Sequence, residues 1–314
     1  MGKRIYSLLI ALAVIFANGA LAGDTGTPPA EIESSCGIPD PGFGIYDSWK
    51  PSVSMGQILM PHKGGITSRN EFDVLIHFHG HEAIRKTLVK AVHGMFVVGI
   101  DLGVGSGVYQ RAFSSPEVFV ELLESIERTV AEHTHNTRAH IRKLGLSGWS
   151  AGYGAIREIL RQNASERVDS VVLIDGLHAD YDETDASGLQ AEQLAPFVKF
   201  ARRAAKRNRF MFVSHSTITP PGYASSTETA HYLVKKLRGK ITKSGGHDGL
   251  LLSRYEQAKI GNFLMRGYRG DGKIDHCAEI GVVAGVAADL EKRWKTPVAA
   301  GVKPEHGAIR SSGN

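Results

Sequence analysis

The sequence is poor in cysteine, since only Cys36 and Cys277 occur in 314 residues. Neither belongs to a Cys-x-x-Cys pair, which excludes a zinc ribbon or another metal site built on paired cysteines. In an oxidising compartment two cysteines normally form one bridge. We therefore expect a disulfide between Cys36 and Cys277 if the protein is exported.

Long apolar runs are also scarce. The run from Ile5 to Ala17 is too short for a comfortable membrane span, and no later segment is long and apolar enough. It follows Lys3-Arg4 and precedes Ala20-Leu21-Ala22, which is the order of features in a secretory signal peptide. We expect cleavage near Ala22, a secreted or periplasmic protein and no stable membrane span; an uncleaved anchor is the alternative.

The sequence lacks dense runs of lysine and arginine interleaved with aromatic residues, so no nucleic-acid-binding surface is predicted. The formal net charge is +5, and it falls to +3 when Lys3 and Arg4 leave with the signal peptide. Such a mild charge is typical of a solvated basic face. We expect no nucleic-acid partner.

Apolar segments alternate with amphipathic ones along the chain. Continuous apolar runs predict strands at 73–78, 95–103, 141–148, 170–175 and 209–214, and a final strand or hairpin within 250–268. Helices are predicted after residue 81, from residue 115, and over 151–162, 190–208, 226–237 and 278–294. This order predicts an α/β fold with a mostly parallel, doubly wound sheet.

The same pass along the chain gives the expected domain organisation. Residues 1–22 are the signal peptide, 23–41 a Gly-, Pro- and Ser-rich flexible leader, 42–294 a single domain, and 295–314 a flexible tail. About 290 residues are enough for one large buried core. We expect a monomer.

Residues capable of chemistry follow the predicted strands. In such a sheet, ligands bind at the carboxyl ends of the strands. The residues found there are His79-Gly80-His81, Ser150, Asp175, Ser214-His215-Ser216 and His276. Their clustering at strand ends predicts an active site.

Ser150 lies in Gly148-Trp149-Ser150-Ala151-Gly152, after a predicted strand and before a predicted helix. A strand that turns sharply into a helix strains the backbone of the residue at the turn and needs small neighbours on both sides. Ser147 also follows a glycine but lies inside the predicted strand. The pattern therefore favours Ser150 as a nucleophile.

With this elbow, His79-Gly80 after an upstream strand and a late histidine before the last helix, the chain from Val74 to Trp294 resembles the α/β-hydrolase superfamily. The resemblance implies the α/β-hydrolase fold and a hydrolase of this catalytic class, and it is silent about the substrate. It also implies an oxyanion hole formed by the backbone N–H of Ala151 and that of Gly80 or His81, whose fixed dipoles stabilise a developing oxyanion.

A serine nucleophile needs a base and an acid that orients it. The resemblance favours His276 as the base, and His247 in "SGGHDG" is the alternative. No carboxylate follows the strand ending at Ser214, where the family more often keeps its acid. Asp175 ends the strand after the nucleophile helix and is the preferred acid. Three other carboxylates remain open as alternatives: Asp180, Asp182 and Asp248.

Other readings of the sequence have less support. His77, His79 and His81, with His178, His215 and Asp175, could make a metal-dependent hydrolase, although residues two apart on a strand share one face. The Gly-x-Gly-x-Gly of residues 103–107 is followed by no predicted helix, so we interpret it as a loop at the rim of the site rather than a dinucleotide site. A non-catalytic envelope protein that retains the fold is a further alternative.

The sequence thus predicts an exported, cofactor-free serine hydrolase with Ser150, His276 and Asp175 as its catalytic residues. The expected substrate is an ester outside the cytoplasm: a lipid, a polymeric ester or an acylated polysaccharide. Residues 176–189 and 216–228 are expected to form the walls of its pocket.

Overall fold

The structure is a computed structural model that describes residues 36–51, 53–248 and 252–294. The predicted signal peptide, most of the leader and the predicted tail lie outside the described residues. No helix among the described residues is long and apolar enough to cross a membrane.

A mixed sheet of ten strands organises the fold, in the order β1-β3-β2-β4-β5-β6-β10-β9-β7, with β8 paired to β9. The strands are β1 Gln57–Leu59, β2 Glu71–Phe78, β3 Phe96–Ile100, β4 His140–Trp149, β5 Ser170–Ile174, β6 Phe210–His215, β7 Thr242–Lys243, β8 His247–Asp248, β9 Leu252–Ile260 and β10 Phe263–Arg269. Six central strands, from β3 to β10 in this order, run parallel. The strands at the two edges of the sheet pair antiparallel: β1 with β3 on one side, and β9 with β10, β7 and β8 on the other.

The helices cover both faces of the sheet. They are α1 His81–Leu88, α2 Ser106–Ala112, α3 Pro116–His133, α4 Tyr153–Arg161, α5 Ala191–Ala205, α6 Ser226–Lys236, α7 Lys273–Ala278 and α8 Val282–Trp294. Apolar side chains of α3, α4, α5 and α6 belong to one buried cluster, and those of α1 and α8 belong to another. Since both faces are covered, the central strands are buried along most of their length, which is why they read as continuous apolar runs.

This architecture confirms the predicted fold class: a single domain with the α/β-hydrolase fold. The predicted final strand or hairpin is the antiparallel pair β9 and β10. One expectation was wrong, because a helix, α2, does begin at Ser106 immediately after Gly105. Its seven residues are too few for a clear hydrophobic period in the sequence.

The structure contains the expected disulfide between Cys36 and Cys277. Cys277 lies in α7 and is buried. The bridge therefore fastens the N-terminal end of the described chain to the short helix that also carries His276.

Candidate active site

Ser150 lies at a sharp turn between β4 and α4, as the pattern of glycines indicated. A single 3-10 turn, Ser150–Gly152, connects the strand to the helix. The backbone of Ser150 has a φ of 48°, in the left-handed region that residues with a side chain seldom adopt. Such strain persists only when the surrounding structure holds it in place, and it occurs most often at functional sites.

Glycines make this turn sterically feasible. A Cβ atom on Gly152 would lie 2.1 Å from the carbonyl oxygen of Phe78, and one on Gly148 would lie 2.9 Å from the carbonyl carbon of Gly152. A third glycine, Gly176, follows Asp175 and packs against the turn, since its Cβ would lie 2.3 Å from the carbonyl oxygen of Ser150. At each of these three positions, neighbouring backbone atoms lie too close for any residue larger than glycine.

Ser147, the other serine in this stretch, is fully buried and has a different partner. Its hydroxyl lies 3.0 Å from Nδ1 of His77, whose Nε2 lies 2.7 Å from the carbonyl oxygen of His79. Because a carbonyl only accepts, Nε2 of His77 donates, and Nδ1 of the neutral ring accepts from Ser147. Burial lowers the pKa of His77 to about 3, so the imidazole is neutral at pH 7. The hydrogen bond between Ser147 and His77 is therefore a buried bond between two uncharged side chains.

His276 and Asp175 are brought together above the carboxyl ends of the strands. Nδ1 of His276 lies 2.7 Å from Oδ2 of Asp175. The contact leaves Nε2 as the ring nitrogen available for proton transfer. His276 lies within the short helix α7, ahead of the last helix α8.

Asp175 is held by several further donors. Its Oδ1 accepts from the backbone N–H of Ser216 at 2.9 Å, from the hydroxyl of Ser216 at 3.0 Å and from the hydroxyl of Ser226. Burial by itself raises the pKa of Asp175, but the hydrogen bond and charge of His276 and the donors on Ser226 and Ser216 outweigh it and lower the pKa to about 2. The carboxylate is therefore charged at neutral pH and orients the imidazole.

A second carboxyl group lies close to this pair. Glu279, three residues after His276, is fully buried. Burial and, to a smaller extent, the charge of Asp175 raise the pKa of Glu279 well above its usual range. Burial therefore favours the neutral form of Glu279, whereas the lowered pKa of Asp175 keeps the negative charge on the carboxylate that faces the imidazole.

Trp149 separates two histidine rings. Its indole stacks on His276 with 4.8 Å between ring centroids and on His79 with 5.3 Å. The indole N–H also donates to the carbonyl oxygen of His276 at 3.2 Å. Gly80 allows this arrangement, because its Cβ would lie 2.7 Å from the Trp149 ring. The residue before Ser150 thus fixes the position of the imidazole.

The expected oxyanion donors Gly80 and His81 are engaged elsewhere, which corrects that prediction. The backbone N–H of Gly80 donates to Oδ1 of Asp101 at 2.6 Å, and that of His81 donates to Oδ2 at 3.1 Å. Nδ1 of His81 also contacts Asp101. The carboxylate caps the N-terminus of α1, where free N–H groups attract negative charge. These groups are therefore not free to bind a substrate oxygen.

Ala151, the other expected donor, lies in the first turn after Ser150 and lines the same cavity as Ser150. The N–H groups of a first helical turn have no partner within the helix. His79 also lines this cavity, and its Nδ1 lies 3.0 Å from the hydroxyl of Tyr109. Burial lowers the pKa of His79, partly opposed by Asp101, so the ring is neutral at pH 7.

The alternative base and the alternative acids lie apart from the pair of His276 and Asp175 and have other partners. His247 is exposed on β8 and lines neither cavity beside Ser150. Asp180 accepts from Gln193, Asp182 accepts from Thr184, and Asp248 accepts from Tyr268. Of these carboxylates, only Asp180 lines a cavity that contains Ser150, and it is on the side away from His276.

The histidines at the end of β2 do not converge on one point, contrary to the metal-dependent alternative. His77 faces Ser147, away from the other two. His79 and His81 both lie beside Asp101, but Nδ1 of His79 is 3.8 Å from it and contacts Tyr109 instead. Two other histidines of that alternative are also apart: Nδ1 of His178 contacts the carbonyl oxygen of Ala224, and His215 lies beside Glu256.

Two cavities meet at Ser150. The larger, of about 510 Å³, is lined mainly by polar side chains, among them Ser106, Gln110, Arg157, Asp180, Gln193 and Tyr223. The smaller, of about 320 Å³, contains Ser150, Asp175 and His276 together with Ser216, Pro220 and Tyr223. Residues of both segments expected to form walls, 176–189 and 216–228, line these cavities, and so do Val104 and Gly105 of the rim loop.

Sequence reasoning missed several residues of the site. Asp101 follows β3 and could have been found, because it ends a strand like the other candidates. Tyr109 carries no such signal, since it lies in a helix far from His79 in sequence. Ser226 lies in a segment expected to form a wall, but its hydrogen bond to Asp175 has no signal in the sequence.

Comparisons with known proteins give distant structural similarity. No family model and no curated protein matches the sequence. A poly(3-hydroxybutyrate) depolymerase from Bordetella parapertussis is 16% identical with a TM-score of 0.41, over 78% of this chain and 88% of that one. A zinc-bound cold-adapted esterase from an Arctic intertidal metagenomic library is 13% identical with a TM-score of 0.41, over 79% and 99%. An ester hydrolase from the metagenome of Lake Arreo is 13% identical with a TM-score of 0.44, over 84% and 88%. Similarity this distant carries no information on activity or substrate, so the roles of the residues rest on the geometry of the site.

Proposed function

We propose that the protein is an exported serine hydrolase that cleaves carboxylic esters through an acyl-enzyme on Ser150. The observation that carries the proposal is the left-handed backbone of Ser150 at a strand-to-helix turn, beside a cavity shared with the hydrogen-bonded pair His276 and Asp175. A nucleophile, a base and a group that orients the base are the parts that acyl transfer requires.

In the proposed reaction, Oγ of Ser150 attacks the ester carbonyl while Nε2 of His276 takes its proton. The carbonyl π bond opens, and the resulting oxyanion collapses to expel the alcohol, which receives the proton from His276. Water then attacks the acyl-enzyme by the same route and releases the acid. Asp175 stays ionised throughout and stabilises the imidazolium.

The oxyanion needs preorganised donors. The backbone N–H of Ala151 is the first in this proposal. The second is Nε2 of His79, because His79 lines the same cavity and the Tyr109 hydroxyl can donate to its Nδ1. A neutral imidazole can polarise a carbonyl by donating a hydrogen bond.

The polar lining of the larger cavity favours a polar acyl or alcohol group over a long aliphatic chain. Arg157 and Gln193 contact each other there, with 3.3 Å between Nη1 and Oε1. An aliphatic chain in contact with such groups would strip them of water without replacing their hydrogen bonds. Among the expected substrates, this favours acylated polysaccharides or short polymeric esters over long-chain lipids.

Export is supported by the disulfide, because such bonds persist in oxidising compartments. N-terminal sequencing of the protein isolated from its native compartment tests this part, and a start near Gly23 is expected.

The mechanism is tested by labelling with a fluorophosphonate, followed by peptide mapping of the modified serine. We expect one label on Ser150, with label and ester turnover both lost in Ser150→Ala. Ser147→Ala is the matched control and should keep the label. A label that persists in Ser150→Ala, or that maps to Ser147, would exclude the proposed nucleophile.

A further inference from the structure

Three side chains outside the candidate active site converge on one point. They come from the end of β6 (His215), from α6 (His231) and from β9 (Glu256). Oε1 of Glu256 lies 3.0 Å from Nε2 of His215 and 2.5 Å from Nε2 of His231. One ligand atom from each residue lies within 4.8 Å of the other two, the only such group of three found among the described residues.

A glycine on the strand between them makes room for this convergence. Gly267 of β10 is paired with His215 on one side and with Glu256 on the other. A Cβ on Gly267 would lie 2.5 Å from Cε1 and 2.6 Å from Nε2 of His215, and 2.8 Å from Cγ of Glu256. The two side chains therefore meet across an intervening strand only because that strand has no side chain at this position.

The hydrogen bonds of His215 determine which of its nitrogens carries the proton. Nδ1 lies 2.9 Å from Oγ1 of Thr227 and 3.2 Å from the carbonyl oxygen of Ser216. The Thr227 hydroxyl donates to that same carbonyl at 2.6 Å, so its oxygen is left to accept. Nδ1 of His215 therefore carries a proton, and Nε2 of the neutral ring carries a lone pair.

This lone pair faces a carboxylate. Nε2 of His215 is buried and makes no hydrogen bond of acceptable geometry, although Oε1 of Glu256 is only 3.0 Å away. A neutral imidazole nitrogen and a carboxylate oxygen both present electron pairs, and they repel each other unless a positive charge lies between them. Either a buried imidazolium or a bound cation satisfies the pair.

The donor set suits a metal ion. Two imidazoles and one carboxylate are a set that zinc binds, with a fourth position left for water. With metal–ligand bonds of about 2.0–2.1 Å, tetrahedral ligand atoms lie roughly 3.3 Å apart, so no pair of ligand atoms needs to change its separation by more than about 1.5 Å. The side chain of His231 is 40% exposed, which gives an ion a route from solvent.

We propose that His215, His231 and Glu256 bind a divalent transition-metal ion, with zinc as the best-suited metal. The site does not depend on the proposed hydrolase activity. It lies behind the carboxylate of the candidate active site, because Ser216 follows His215 and Ser226 precedes Thr227, and both serines donate to Asp175. A bound ion would hold these two segments together.

The test uses the mature protein with any histidine tag removed and treated with a chelator. Titration with Co²⁺ should give one equivalent with the visible bands of a four- or five-coordinate ion, and calorimetric titration with Zn²⁺ should give one matching site. His231→Gln should weaken that site by at least about tenfold, because one of three protein ligands is lost. His231 is partly exposed on a helix, so this variant is expected to fold, which circular dichroism checks.

His93→Gln is the matched control, because His93 is an exposed histidine beside a glutamate, Glu291. It should leave the Co²⁺ spectrum and the stoichiometry unchanged. Glu256→Gln removes a second ligand and should independently weaken metal binding. The proposal is overturned if the wild type binds no equivalent of either ion, or if the bound equivalent survives unchanged in both His231→Gln and Glu256→Gln.

Discussion

Asp175 and His276 are 101 residues apart in the chain, and their side chains are joined by a hydrogen bond of 2.7 Å. Asp175 comes from the turn after β5, and His276 comes from α7, which the disulfide at Cys277 fastens to the N-terminal end of the described chain. The pair therefore depends on elements that only the tertiary fold brings together.

Asp175→Asn is expected to lower kcat by about 10³–10⁴-fold. The amide would donate to Nδ1 of His276, which moves the ring proton to Nε2 and prevents it from accepting the proton of Ser150. Steady-state kinetics on a small ester measures the loss. Asp182→Asn, which changes a carboxylate that pairs with Thr184, is the control and should keep nearly full activity. Similar rates for both variants would remove Asp175 from the mechanism.

The acid stability of the protein should also depend on Asp175. Its pKa is about 2 in the folded protein and about 3.9 in an unfolded chain. A lowered folded pKa contributes stability that is fully present above the unfolded value and is lost as the pH falls through the folded value. The loss between about pH 4 and pH 2 is on the order of 2 kcal/mol.

This dependence can be measured as the free energy of unfolding by urea across that pH range. The free energy of unfolding of Asp175→Asn should change less with pH than that of the wild type. Glu183→Gln, at an exposed position, should leave the slope unchanged. Equal slopes in the wild type and Asp175→Asn would contradict the lowered pKa.

Gly176→Ala is expected to disturb Ser150 without touching any candidate catalytic side chain. The added Cβ would lie 2.3 Å from the carbonyl oxygen and 2.6 Å from the backbone nitrogen of Ser150, so the turn must shift. Small displacements of a nucleophile lower the rate by about 10²-fold. Gly285→Ala, which adds a Cβ to open space in α8, should leave the rate unchanged. Both kcat and the rate of fluorophosphonate labelling report the effect.

Substitutions of His79 distinguish its proposed role as a hydrogen-bond donor from its packing against Trp149. His79→Phe keeps a ring against Trp149 but removes the N–H, and we expect kcat to fall by about 10²–10³-fold, the usual effect of losing one oxyanion donor. KM should change much less, because the donor acts on the charge that develops during the reaction. His79→Gln retains an N–H and should recover part of kcat. An activity of His79→Phe close to that of the wild type would remove His79 from the oxyanion hole.

Reduction of the disulfide should affect activity before the fold. Cys277 is adjacent to His276 in α7, so breaking the bridge to Cys36 loosens the helix that carries the proposed base. The bridge closes a loop of 241 residues. Such a loop contributes on the order of 5 kcal/mol at most by chain entropy.

The paired variant Cys36→Ser/Cys277→Ser, compared with the wild type, gives the measurement. We expect a lower thermal midpoint and, at temperatures where circular dichroism still shows native structure, a lower kcat. Loss of activity that coincides with global unfolding would leave the disulfide with a role in stability alone.

The sequence by itself determined the sheet and the position of Ser150. Strands buried on both faces are mostly apolar, so β2, β3, β5 and β6 were readable as apolar runs. The glycines around Ser150 were readable because a Cβ at those positions would overlap the backbone. Asp175 was a candidate because side chains at the carboxyl ends of parallel strands meet at one edge of the sheet. The choice of His276 over His247 came from the resemblance to α/β-hydrolases. These features depend on local sterics and on a regular topology, which a single sequence records.

Only the tertiary structure decided which polar groups form hydrogen bonds with one another. Gly80 and His81 had the right position for oxyanion donors, but Asp101 from a neighbouring strand takes both of their N–H groups. His215 reads as one more histidine at a strand end, and it meets Glu256 only because Gly267 leaves space on the strand between them. Hydrogen bonds between distant residues depend on ångström-scale distances, and hydrophobic periodicity does not encode such distances.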